Sequence, residues 1–344
     1  MNRALITLFI VVSVVGAGAR PQSPQADITF DLKPYGFFVD PLISANTTLD
    51  FVSDDKIGVH VYQCQIPPTC KNELLIINLE DRQVLRRTSD FPYPIKFLPD
   101  GNFLYFQPHE LDLYGPDLQL LKSYSHPSDP KLDFAVRSGL VYLSPDLQSI
   151  SIPVDHGSEI LATDSLTLQH KVQGQVRALN TDMWFIGWNY AAEVLTEQTY
   201  SENGIRDLRR IGGDRCSVWP FYLNPELVLV ENCNAHVEVR DNDDHLRYRI
   251  KKRVGDTEFL PAASGNRFAT ELYIAKSLDW SGTAQYKKIV LQVFESESGK
   301  EIFHMEDVPS RNEPTWFHYI ALSPSGKRLA VIRNGVLKIY NLTP

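Results

Sequence analysis

The chain has 344 residues, of which 43% are hydrophobic and 11% aromatic, and a formal net charge of −8. That is enough apolar material for one large domain or two ordinary ones, and the acidic balance argues against nucleic acid as the main partner. The four cysteines and nine histidines show none of the CxxC, HxH or HxxxH spacings of a metal site, so no metal and no cofactor is expected.

The first residues, MNRALITLFIVVSVVGAGARPQSPQ, carry Arg3, an apolar run from Ala4 to Val15 and the small triplet Ala17-Gly18-Ala19. This is the pattern of a secretory signal peptide over 1–19. The run falls short of the ~20 residues that span a bilayer. Residues 20–344 are then expected as one exported domain, secreted or periplasmic, with no transmembrane segment.

Next comes DITFDL at Asp27, a short alternating strand, and after it one pattern recurs to the end of the chain. DFVSDDKIGVHVY (from Asp50), KFLPDGNFLYF (Lys96), VYLSPDLQSISIP (Val141), VRALNTDMWFIGW (Val176), FYLNPELVLVEN (Phe221), FLPAASGNRFAT (Phe259) and IALSPSGKRLAVI (Ile320) share one grammar. An apolar strand enters a Ser/Asn/Pro/Asp/Gly turn that feeds a second apolar strand. The turns centre near residues 54, 100, 146, 182, 225, 265 and 325, so successive units lie 36 to 60 residues apart, the blade length of a β-propeller. Third and fourth strands follow most turns, as in ELLIINLEDRQVLRRT at Glu73 and AHVEVRDNDDHLRYRI at Ala235. The last unit shows only three strands before Pro344. DITFDL supplies the fourth and closes the ring, with Thr29 expected near Ile339. The predicted fold is therefore all-β, a seven-bladed propeller of four-stranded antiparallel blades.

The turns SPSGKRLAVI, LPDGNFLYF and SPDLQSISIP resemble the SPDG-type repeats of bacterial propellers of the WD40-like, YVTN and TolB-like groups. The resemblance implies the fold and says little of function, because such repeats serve scaffolds, binding modules and some enzymes alike. The Gly-His and Trp-Asp signatures of eukaryotic WD40 units are missing.

Cysteine positions suggest pairs in an exported chain. Cys216 and Cys233 stand at equal distances from the Asn224-Pro225 turn, and Cys64 and Cys70 bracket the stiff loop QIPPT. Structural disulfides are expected for both, with free or redox thiols as the alternative.

Catalytic signatures are absent: there is no GxSxG, HExxH, phosphate loop or GxGxxG. RDNDDHLRYRI, from Arg240, has the acids of a calcium loop but lacks its sixth-position glycine and bears Lys252 where the bidentate acid belongs; a polar turn is the plainer reading. The basic stretches IRDLRRIGGDR and LRYRIKKR could contact an anionic polymer or membrane surface. The competing reading makes them outermost strands, charged against edge pairing. Trp184, Trp188 and Trp219 read as core. Trp280 and Trp316 stand apart, because each lies in a polar connection, SLDWSGTAQYKK and PSRNEPTWFHY. Two links between second and third strands are long, the first of these connections in blade 6 and CQIPPTCKNE in blade 1. Long structured loops on a rigid scaffold are where binding usually resides. The expected binding residues are therefore Trp280, Tyr286, Trp316 and His318, bordering a sector made by blades 6, 7 and 1. The function expected is binding of a protein or a glycan by a monomer. A propeller enzyme, lactonase-like or another hydrolase with its site at the central channel, is the alternative.

Overall fold

A computed structural model describes residues 24–36, 44–64, 70–88, 91–125, 141–180, 182–189, 194–212, 221–224, 226–232, 236–241, 243–251, 256–278, 284–307, 319–333 and 335–342. The expected signal peptide, 1–19, lies outside them. Among the described residues no helix is long and apolar enough to cross a membrane.

Seven antiparallel sheets of four strands each form the blades. Blade 1 spans 44–88, blade 2 95–125, blade 3 142–173, blade 4 176–212, blade 5 221–251 and blade 6 256–307. Blade 7 takes its three inner strands from 320–341, and its fourth is Ile28–Asp31. Each of the seven repeated turns joins the first strand of a blade to the second, including the divergent unit at Val176, which builds blade 4.

Strand alternation buries side chains on both faces of every blade, as sheets stacked face to face require. The buried apolar residues separate into seven clusters, one at each contact between neighbouring blades. The blade 7–1 cluster runs from Leu32, Leu49 and Ile57 to Ile332, Leu337 and Ile339, so the contact that closes the ring is as fully packed as the others. In the closing strand Ile28 faces Ile339, Thr29 faces Lys338 and Phe30 faces Leu337. The sequence-based pairing of Thr29 with Ile339 is therefore one residue out of register.

The turns are laced to one another around their rim. Ser325 N–H donates to Asp54 Oδ1 (3.1 Å), and Arg328 Nη1 donates to the Asp54 carbonyl (2.8 Å) and to Asp55 Oδ1 (2.5 Å), joining blade 7 to blade 1. Asn266 Nδ2 donates to the Ser325 carbonyl (3.0 Å), and Asn224 Nδ2 to that of Gly265 (3.2 Å). Gly265 has φ +70°, and a Cβ there would lie 2.4 Å from Asn224 Cβ, so only glycine fits.

Between blades 1 and 2 the packing is tight enough to titrate. Gly58 and His60 share one face of a strand, and a Cβ on Gly58 would meet the Phe97 ring at 2.6 Å. His60 is fully buried and its Nε2 bonds Asn72 Oδ1 at 2.9 Å. Burial, partly offset by that hydrogen bond, lowers the imidazole pKa from 6.5 to about 4. The unfolded chain therefore takes up a proton near pH 6.5 that the native protein refuses. The stability this group contributes is complete above that pH and is lost as the pH falls towards 4, by up to about 3 kcal/mol. In His60→Gln the dependence of denaturation free energy on pH should flatten between pH 6.5 and 4. An unchanged slope would show that another group causes it.

Candidate functional site

The ring brings the first strands of all seven blades around one axis. Matching residues follow from the register with the second strands: Asp50 opposite Gly58, Lys96 opposite Leu104, Tyr142 opposite Ser151, Arg177 opposite Phe185, Phe221 opposite Leu229, Leu260 opposite Ala269 and Ala321 opposite Ala330. These seven positions make one tier. Blades 1 to 4 supply an acid, two cations and a phenol, and blades 5 to 7 supply apolar residues. A cavity of about 210 Å³ on the axis is lined by five of them, Asp50, Lys96, Tyr142, Leu260 and Ala321. Towards the turns its wall becomes apolar, with Leu143, Pro261 and Leu322, then Pro145 and Pro324. A smaller hollow of about 40 Å³ beside it shares Pro145 and Ala263 and reaches Met183 and Tyr222.

Lys96 forms an ion pair with Asp50 Oδ1, and the Phe97 backbone N–H donates to Oδ2 at 3.3 Å. Burial raises the Asp50 pKa, against the pull of Lys96. The Arg177 guanidinium lies 4.9 Å from the centroid of the Tyr142 ring, a cation–π distance. Burial lowers the Arg177 pKa and raises that of Tyr142. None of these four stood out by motif. Each becomes visible when the repeats are aligned on their turns, as the residue ahead of the last apolar step in DFVSD, KFLPD, YLSPD and RALNTD.

None of the residues expected at a binding surface lines this cavity among the described residues. Trp280, Trp316 and His318 lie outside the described residues, as do Cys216 and Cys233. Tyr286 is in a strand and faces Ala275. Cys64 and Cys70 face each other across the second and third strands of blade 1. Those strands are nine residues each, and the corresponding pair in blade 6 are twelve each. In blade 6 the described pairing with the first strand runs to Tyr273 and that with the fourth to Ile289, and the central pair is described as far as Leu278 and Ala284. The central pair thus runs five residues on each strand beyond those points, roughly 17 Å of strand.

Both basic stretches contribute outermost strands, Gly204–Gly212 of blade 4 and Leu246–Lys251 of blade 5. In blade 5 Arg249 pairs with Glu238 (3.0 Å) and Arg247 with Asp241 (3.7 Å). Asp241, Asp243 and His245 come within 4.8 Å of one another. Asp241 Oδ1 there accepts the backbone N–H groups of Asp243 (3.0 Å) and His245 (2.8 Å), the bonding of a polar turn.

No family model matches the sequence, and no curated protein resembles it. Solved structures do resemble the fold. A chain of the mitotic checkpoint complex matches with a TM-score of 0.56 at 10% identity over all of both chains. Hsv2p of Kluyveromyces lactis matches with 0.51 at 10% identity, covering 84% of this chain and 89% of that one. Raptor of Chaetomium thermophilum matches with 0.54 at 9% identity over 91% of this chain, which spans only 30% of Raptor. Identities this low speak for architecture alone, and by its architecture the chain is a seven-bladed β-propeller.

Proposed function

We propose that the protein is an exported binding module that holds a protein or glycan partner between the extended central strands of blades 6 and 1. The observation that carries this reading is the length of the central strand pairs, twelve residues each in blade 6 and nine each in blade 1. The links from second to third strand leave both blades on one rim, on either side of blade 7. In chain order Trp280 falls between the two long strands of blade 6, and Trp316 between blade 6 and blade 7. Aromatic side chains at such positions are the usual anchors of a recognition surface.

Replacing residues 275–287 by Asn-Gly leaves Ile274 and Lys288, a native strand pair, joined by a favoured hairpin turn. The shortened protein should melt within a few degrees of the parent. It should also lose at least tenfold in binding on a glycan panel and in crosslinked capture from the native extracellular fraction, and Trp280→Ala with Trp316→Ala should do the same. Undiminished binding by the shortened ring would refute the reading.

The end of the central strand pair in blade 1 is proposed to be clamped by a Cys64–Cys70 disulfide. Directly opposed residues of an antiparallel pair have Cα atoms about 4.5–5.5 Å apart, within the range a disulfide spans. Unreduced protein denatured in guanidinium should show no titratable thiol if Cys216 and Cys233 pair as well. Two or more free thiols would remove at least one bridge.

A further inference from the structure

We propose that the axial cavity is a site for a small primary amide with an apolar tail, its head group shared between Asp50 and Lys96 and its tail along Leu143, Pro261 and Leu322 towards the turn rim. This site is distinct from the long strand pairs of blades 6 and 1 and does not depend on them.

The two charged side chains that line the cavity, Asp50 and Lys96, form an ion pair and neutralise each other. A ligand with a net charge would enter that wall without a counter-charge of its own, at the full cost of leaving water. Hydrogen-bonding capacity, by contrast, remains on both partners and in equal measure. The Asp50 carboxylate has about four lone-pair sites and receives two donors, Lys96 at Oδ1 and the Phe97 backbone N–H at Oδ2, which leaves two. The Lys96 ammonium has three N–H donors and gives one to Asp50, which also leaves two. Their side chains are 12% and 29% exposed, and both line the cavity. The complement of this wall is an uncharged head that donates twice and accepts twice from neighbouring atoms. A primary amide does so, with two donors on its nitrogen and two lone pairs on its carbonyl oxygen, whereas a hydroxyl has a single donor. A zwitterion would match the ion pair too, but two further ions would then have to be desolvated. The cavity's depth orders the rest of the ligand. The charged tier is farther from the turns, and the wall between it and the mouth is built of leucine and proline. A polar head can be buried there only if its attached chain also suits an apolar wall. The volume of about 210 Å³ limits the tail to a few carbons.

The full-length protein can be titrated at pH 7 with hexanamide, hexanol, hexanoate, hexylammonium, norleucine and 2-heptanone, by calorimetry and ligand-observed NMR. Hexanamide should bind about tenfold more tightly than any of the others, because hydrogen bonds to charged groups are the stronger kind. The comparison with 2-heptanone isolates the Asp50 half of the site without any variant: a methyl group replaces the NH2, so the carbonyl can still accept from Lys96 but nothing donates to Asp50. In the double variant Asp50→Leu, Lys96→Met, which leaves no buried charge, hexanamide should bind no better than hexanol while the circular dichroism spectrum stays that of the parent. Equal binding of hexanol or 2-heptanone by the parent would reduce the cavity to an apolar pocket and overturn the assignment. So would a preference for hexanoate, hexylammonium or norleucine, retention of the hexanamide preference by the folded double variant, or binding of no probe.

Discussion

Deleting residues 27–33 should destroy the ring rather than trim it. The strand Ile28–Asp31 is the outermost of blade 7 and pairs with Val336–Ile339, over 300 residues away. Asp27 and Leu32 extend the contact by donating backbone N–H groups to the carbonyls of Ile339 (2.9 Å) and Gly335 (2.8 Å), and Asp27 Oδ2 accepts the Asn341 N–H (2.7 Å). Leu32 is fully buried in the blade 7–1 cluster, with Ile28 and Phe30 packed against it. Loss of the Leu32 side chain alone is worth about 2–5 kcal/mol, a large part of the stability of a typical domain. The deletion also uncovers a strand edge that can pair with other chains. Size-exclusion chromatography should show aggregate in place of the parent's peak, and any soluble fraction should melt well below the parent. A truncated protein that elutes with the parent and keeps its melting temperature would refute the closure. The bond from Leu32 to Gly335 sets the alternation of the ladder, so Thr29 and Lys338 form a non-hydrogen-bonded pair, the closer kind. Cysteines at these two positions should crosslink, and a pair at Thr29 and Ile339 should do so poorly.

The second large effect lies between blades 6 and 7. Arg333 and Glu271 form an ion pair with side chains 5% and 0% exposed. Removing one partner leaves a charge buried in a low-dielectric contact. Arg333→Met and Glu271→Leu should each cost about 3–5 kcal/mol in denaturant unfolding, whereas the double variant should cost clearly less than the sum of the two, because their mutual interaction is lost only once. Additive losses in the double variant would show that the two side chains act through separate contacts.

The repeated grammar of strand and turn was enough to count the blades, because inward-facing alternation and turn chemistry are local properties written within a dozen residues. Even the divergent unit at Val176 followed, and Trp184, read as core, is fully buried. The exact closure register was open to the same reasoning but was set one residue away. Matching the apolar faces of DITFDL and VLKIYN places Ile28 opposite Ile339, whereas Thr29 opposite Ile339 would put a polar face against an apolar one. The buried pair of Arg333 and Glu271 left no signal, since the two residues are 62 positions apart and neither strand differs in pattern from its neighbours.

The axial tier marks the boundary between the two kinds of information. Period-two alternation determines that Asp50, Lys96, Tyr142 and Arg177 each occupy the same strand position, and turn spacing determines that each belongs to a different blade. That Asp50, Lys96 and Tyr142 share a cavity with Leu260 and Ala321 was decided only by closing the ring. Distances between residues on different blades depend on how the sheets pack across the seven apolar clusters, and that packing is a property of the whole assembly.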